Sequence, residues 1–239
     1  MHLLQTIVCR ARRIRQTKGY DLAATLPSIL WFGFCLFSSA PGMVDQIKLI
    51  NLFVQTDITV LPLGLFLSLT SRLIATAFYS VLIVLLIVRV TPRARAKGIW
   101  PRAAAFLGTF LSFGIMLLPA REISTPLYIA SLILISSGFG IASWALLTLR
   151  RSVSIFPEAR KLVTNGPYHL VRHPIYAGEL LATTGLAMQY LSLISIIVVA
   201  VQFSFQVIRM SFEERVMRSE YPEYACYMAR TWRLIPRIY

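Results

Sequence analysis

The chain has 239 residues, 56% of them apolar and only 14% charged, against about 25% charged in an ordinary soluble domain. Uncharged runs at 22–44, 73–88, 103–120, 123–149 and 180–208 reach or approach the roughly 20 apolar residues that cross a bilayer. This excludes a soluble domain, and the net charge of +14 does not mark a nucleic-acid partner, because the basic residues concentrate in alternate loops as the positive-inside rule requires.

Lipid leaves no partners for open backbone groups, so spanning segments are helices or closed barrels. The runs are continuous rather than short and alternating, so an all-α polytopic bundle is expected. Five basic residues between Arg10 and Lys18 precede the first span, 22–40, which ends near Pro41-Gly42. It is long for a signal peptide and no small-residue cleavage site follows, so it is read as retained. Residues 41–71 must begin and end on the outer side. Their first part, MVDQIKLINLFVQ, has the spacing of an interfacial amphipathic helix. Their second part, ITVLPLGLFLSLTS, is only 14 residues with a proline, and is read as re-entrant or interfacial.

Span two is 72–90. The basic loop TPRARAKGIWPR leads to span three, 103–119, and the short outer turn PAREISTP leads to span four, 126–149, stopped by Arg150-Arg151. Residues 1–150 thus read as an N-terminal membrane unit and 151–239 as a second region. The basic segments, both termini and the polar stretches of 151–239 are expected on the cytoplasmic side. Cys9, Cys35 and Cys226 are scattered, which predicts neither a disulfide nor a zinc site.

The second region opens with GPYHLVRHPIYAGE, Gly166 to Glu179. Asn165-Gly166-Pro167 is turn chemistry, and Pro174 pushes His173 out of the α region while suiting the first turn of a helix. The stretch therefore runs from a loop into a helix N-terminus, whose free N–H groups favour an anionic ligand. His169, Arg172 and His173 carry polar nitrogens, Tyr168 and Tyr176 offer ring faces, and Glu179 one turn later accepts from an ammonium or a ribose hydroxyl. The set suits a zwitterionic, nucleotide-like cofactor. The same residues also suit a plain interfacial role, with Arg and His snorkelling and Tyr at the headgroups.

The run that follows has 29 uncharged residues, about 44 Å as one helix, against a hydrocarbon core of about 30 Å. A basic C-terminus keeps both its ends on one side, so a membrane hairpin over 175–210 is expected, turning near Gln189-Tyr190-Leu191-Ser192. It returns Arg209, Glu213 and Glu214 to the level of GPYHLVRHPIYAGE. Adjacent glutamates on a helix point about 100° apart, so one faces a site. The alternative for Glu214 is an exposed pair with Arg218. Arg209 closes the uncharged run, either as a snorkelling stop or as a guanidinium holding a carboxylate through two parallel bonds. The tail EYPEYACYMARTWRLIPRIY repeats tyrosine at 221, 224 and 227, at helical spacing, as a lid or a surface helix.

Together, LVTNGPYHLVRHPIYAGE, a membrane hairpin, Glu213-Glu214 and EYACYMARTWRLIP resemble the C-terminal half of the isoprenylcysteine carboxyl methyltransferases and their phospholipid methyltransferase relatives, over about 161–239. The resemblance implies S-adenosyl-L-methionine as cofactor in a cytosolic pocket, and methylation of an amphiphilic, lipid-borne acceptor entering from the bilayer, an isoprenylcysteine-like carboxylate first of all. It implies that Tyr168, Leu170, Val171, His173, Tyr176 and Gly178 line the cofactor, with Glu213 or Glu214 reaching it from the other side. Arg209 falls where the family has an arginine near the substrate carboxylate. Glu179 departs from the eukaryotic isoprenylcysteine enzymes, which tend to be bulky there. The candidate catalytic residues are therefore Arg209, Glu213 and Glu214. An alternative resemblance is to NADPH-dependent membrane reductases of the sterol-reductase type, which share the His-Pro-x-Tyr-x-Gly-Glu element. The Glu-Glu pair and the Thr-x-Arg-x-Ile-Pro tail favour the methyltransferase. A non-enzymatic membrane scaffold is the third reading.

Overall fold

The structure, a computed structural model, describes residues 17–55, 62–119 and 121–239. It is a helical bundle: α1 (Lys18–Gln55), α2 (Leu63–Val88), α3 (Trp100–Phe110), α4 (Thr125–Leu149), α5 (Pro174–Tyr190), α6 (Leu193–Glu220) and the short α7 (Tyr224–Arg230). A 3-10 segment, Leu111–Leu117, extends α3. Among the described residues, five segments are long and apolar enough to cross a membrane, Lys18–Phe53, Leu63–Val88, Trp100–Leu117, Thr125–Ser152 and Leu193–Glu220. The protein is thus the expected all-α, multi-pass bundle. Cys9 lies outside the described residues.

The uncharged run reverses as expected. α5 stops at Tyr190, and α6 begins after Ser192, whose hydroxyl accepts from Ser195 N–H at 3.1 Å while the Ser195 hydroxyl accepts from Ser192 N–H at 3.1 Å. That reciprocal cap satisfies donors that would otherwise be orphaned at the tip of the hairpin. The arms are unequal. α5 has 17 residues, about 26 Å, and α6 has 28, about 42 Å.

Residues 41–71 differ from expectation. Residues 41–55 are helical but continue α1 through Pro41, and residues 63–71 are the first turns of α2 rather than a separate piece. Membrane helices tolerate proline, and the polar face of 41–55 has a partner in α2. Gln46 Nε2 donates to Ser68 Oγ at 2.8 Å, and a Cβ on Gly42 would lie 2.7 Å from the Arg72 guanidinium. Pro62 sits before the first turn of α2, where its missing N–H costs nothing.

α4 and α5 meet most closely. A Cβ added at Gly138 would fall 2.5 Å from Ala182 N and Gly178 O; one at Gly185 would fall 2.6 Å from Ser131 O. Small residues are what let backbones approach in a membrane, where burial of apolar surface gives helices little drive to associate. The main apolar core joins Phe32 of α1, Phe78, Leu82 and Leu86 of α2, Ala142 and Leu146 of α4, and Val153 and Ile155 beyond it.

The loops at one end are tied by a buried ionic cluster. Asp21 in the first turn of α1 accepts from Arg89 Nε at 2.8 Å, Arg160 Nη2 at 2.7 Å and Arg95 Nη2 at 3.1 Å. Glu158 pairs with Arg95 at 3.0 Å and Arg160 at 2.6 Å. A two-residue antiparallel ladder, β1 (Ala94–Arg95) against β2 (Glu158–Ala159), holds the same loops together. α1 is thereby fixed to the segment that leads into GPYHLVRHPIYAGE.

Candidate active site

The loop into α5 is shaped by its own residues. Gly166 has φ +58, and a Cβ there would crowd Thr148 at 3.1 Å. Gly166–His169 form a short 3-10 turn, and Pro174 opens α5 as expected. Just ahead of this helix start, Arg172 N–H donates to Trp232 O at 2.8 Å and His173 N–H to Arg233 O at 3.1 Å. Trp232 N–H returns a bond to Leu170 O at 3.2 Å. The tail is thus a strap across the loop. It is seated further by Tyr227, whose hydroxyl donates to Tyr168 O at 2.6 Å, and by Arg172, which donates to Met228 O and Thr231 O. Burial raises Tyr168 and Tyr224 well above the usual phenol range and pushes Tyr227 up to about 12.

The two glutamates part as adjacent helical positions must. Glu214 turns to the strap: one carboxylate oxygen meets Arg172 Nε at 3.0 Å, His173 Nε2 at 3.1 Å and Arg233 Nε at 3.3 Å. Glu213 turns to a cleft. It accepts from the Tyr176 hydroxyl and from Arg209 Nε at 3.2 Å, with His173 Nδ1 at 3.8 Å. The His173 imidazole therefore lies between the glutamates, and its ring stacks on Tyr176 with centroids 5.4 Å apart. Arg209 lies 4.7 Å over the Tyr176 ring, donates from Nη1 to Thr109 Oγ1 at 2.8 Å and from Nη2 to Ser154 O at 3.4 Å. Glu179 accepts from Gln206 Nε2 at 2.9 Å and has no ion-pair partner among the described residues.

The cleft runs between these groups and the apolar core. Tyr168, Arg172, His173, Tyr176, Glu179, Arg209 and Glu213 line its polar side, and Phe32, Phe78, Leu82, Leu146 and Ile155 its apolar side. Other expected cofactor residues lie elsewhere. His169 and Leu170 are exposed, Val171 is buried against Trp232, and Glu214 stands behind the cleft. Gly178 packs on α4, where a Cβ would meet Ala142 N at 2.8 Å. Its smallness serves the helix crossing. Sequence reasoning missed Thr109, Ser154, Glu158 and Arg160, which also line the cleft. Arg160 pairs with one acid close in sequence, Glu158, but the other, Asp21, is 139 residues away and gave no local signal.

A family model described as phospholipid methyltransferase matches residues 126–224. The chain is also 34% identical over 148 residues to the cobalt-zinc-cadmium resistance protein CzcN of Cupriavidus metallidurans. That match takes in 59% of this chain and 63% of the relative's length. The matched segment runs from α4 through the loop into α5 and both hairpin arms to the first residue of α7, so this is the part of the chain that is similar to the phospholipid methyltransferases.

Proposed function

We propose that the protein transfers a methyl group from S-adenosylmethionine to a lipid-borne acceptor in the cleft between the hairpin and the core. The observation that carries this reading is the position of Glu213. It is held by Tyr176 from α5 and by Arg209 from its own helix, where a polar wall meets an apolar one. The donor set fits a sulfonium nucleoside. Tyr168 and His173 offer ring faces, Glu158 and Glu213 accept from ammonium or ribose groups, and Arg160 Nε, buried and without an acceptor among the described residues, suits a carboxylate. When bound, this cofactor supplies a methyl group on a good leaving group. The chain's residues then need only position the acceptor and exclude water, and positioning alone contributes roughly 7–11 kcal/mol in favourable cases.

Arg209 orients an acceptor carboxylate, as in an isoprenylcysteine-like substrate. Among the described residues, its Nη1 and Nη2 each make one hydrogen bond, leaving one hydrogen on each for a bidentate grip. A carboxylate is already ionised at neutral pH, so no general base is required. A second reading, an amine-bearing lipid acceptor, is favoured by Glu179, a cleft carboxylate with only a neutral partner. Such an acceptor must lose a proton, and Glu179 or Glu213 would take it. Residues 151–239 are the catalytic region, residues 1–150 its membrane frame, and the cleft faces the cytoplasm.

The test is transfer of labelled methyl from S-adenosylmethionine into a panel of prenylcysteine and amine-headgroup lipids. Label in the prenylcysteine ester supports the carboxylate reading, label in the amine supports the second, and label in neither overturns both.

A further inference from the structure

A second concavity, of about 810 Å³, opens on the far side of the segment Lys161–Val163, which is also a wall of the methyl-transfer cleft. It is formed by the C-terminal end of α4, the turn after it and the loop 161–166. Three basic residues line it, Arg150, Arg151 and Lys161, and no carboxylate does. None of the three has an ion-pair partner among the described residues. Among the described residues, their one side-chain hydrogen bond is from Arg151 Nε to Val88 O at 2.8 Å. Ser152, Thr164 and Asn165 add polar side chains to the lining.

Two features mark this place. Arg150 has φ 51 and ψ −127, a left-handed conformation that favours glycine, so the chain carries a cation where its backbone is better served by no side chain. The helix that ends here also presents Trp144 and Leu147 outward, each 55% exposed, so an apolar, lipid-facing surface leads straight into the cationic hollow. A ligand suited to both must carry negative charge on a polar head and an apolar body attached to it.

We propose that this concavity is a binding site for an anionic glycerophospholipid. The phosphate lies among Arg150, Arg151 and Lys161, and the acyl chains lie along the outer face of α4 beside Leu147 and Trp144. Carboxylate-free basic pockets at the ends of membrane helices have the electrostatics for such headgroups. The proposal is independent of the methyl-transfer reading.

The experiment uses the full chain in nanodiscs of phosphatidylcholine containing a minor share of phosphatidylglycerol, with retained lipid counted by native mass spectrometry. The double variant Arg150→Gly/Lys161→Gln removes two charges and relieves the backbone at 150. Lys161→Gln alone is the second variant. The control, Arg102→Ala/Arg237→Ala, removes two exposed charges elsewhere. The expected result is one retained phosphatidylglycerol on wild type and control. Binding should be about thirtyfold weaker in the double variant and about fivefold weaker in Lys161→Gln. Equal loss in the control, or unchanged retention in the double variant, overturns the proposal.

Discussion

Tyr176 and Glu213 stand 37 residues apart on opposite arms of the hairpin, and the Tyr176 hydroxyl donates to the Glu213 carboxylate. That bond closes the cleft where the two arms return to the same level. Tyr176→Phe removes the hydroxyl but keeps the ring under Arg209 and beside His173. The chain should fold normally, with methyl transfer reduced about tenfold, the scale of one hydrogen bond to a charged group. Turnover measured alongside the thermal midpoint checks this.

Glu214 and Glu213 should separate in their effects. Glu214→Gln weakens the contacts that gather Arg172, His173 and Arg233 under the strap. Breaking a buried ionic network from one side costs about 3–5 kcal/mol where burial is complete, and less here because Glu214 is partly accessible. Thermal unfolding in detergent should shift clearly downward for Glu214→Gln. Glu213→Gln should change turnover more than stability.

Arg209→Lys keeps the charge and loses the fork. Under the carboxylate reading, turnover should fall roughly 10–100-fold, with weak rescue at high acceptor concentration. Near-normal turnover on the carboxylate substrate refutes the role given to Arg209.

Tyr168, Tyr224 and Tyr227 titrate above the ordinary phenol value of about 10 because burial penalises their charged forms. Raised folded-state values favour the folded protein below the unfolded value. That contribution is lost as pH climbs from about 10 through about 12, the value reached by Tyr227. Alkaline titration followed by tyrosinate absorbance should show a late-ionising group of tyrosines in the folded protein. In denaturant they should join the ordinary transition. Tyr227→Phe should remove one late titration and loosen the strap.

The hairpin was legible because its sequence problem has one solution: an uncharged run too long for one span, with polar ends that belong on one side. The division of labour between Glu213 and Glu214 was legible only as a rule, since helical geometry separates neighbours without saying which partner each meets. The packing of Gly178 was not legible, because a glycine in a polar motif suits a ligand or a helix crossing equally well, and the neighbour it meets, Ala142, lies on another helix. The continuation of α1 through Pro41 was hidden likewise, because the proline's local cost is visible and the contacts of Gly42 and Gln46 with α2 are not. Asp21, the hub of the basic loops, gave no signal, since its partners Arg89, Arg95 and Arg160 are 68 to 139 residues distant.

The central claim is tested most directly by titrating the purified protein in nanodiscs with S-adenosylhomocysteine and, separately, with NADPH. Saturable binding of S-adenosylhomocysteine, weakened at least tenfold by His173→Ala, with no NADPH binding, is the predicted result. NADPH binding without S-adenosylhomocysteine binding would contradict the account.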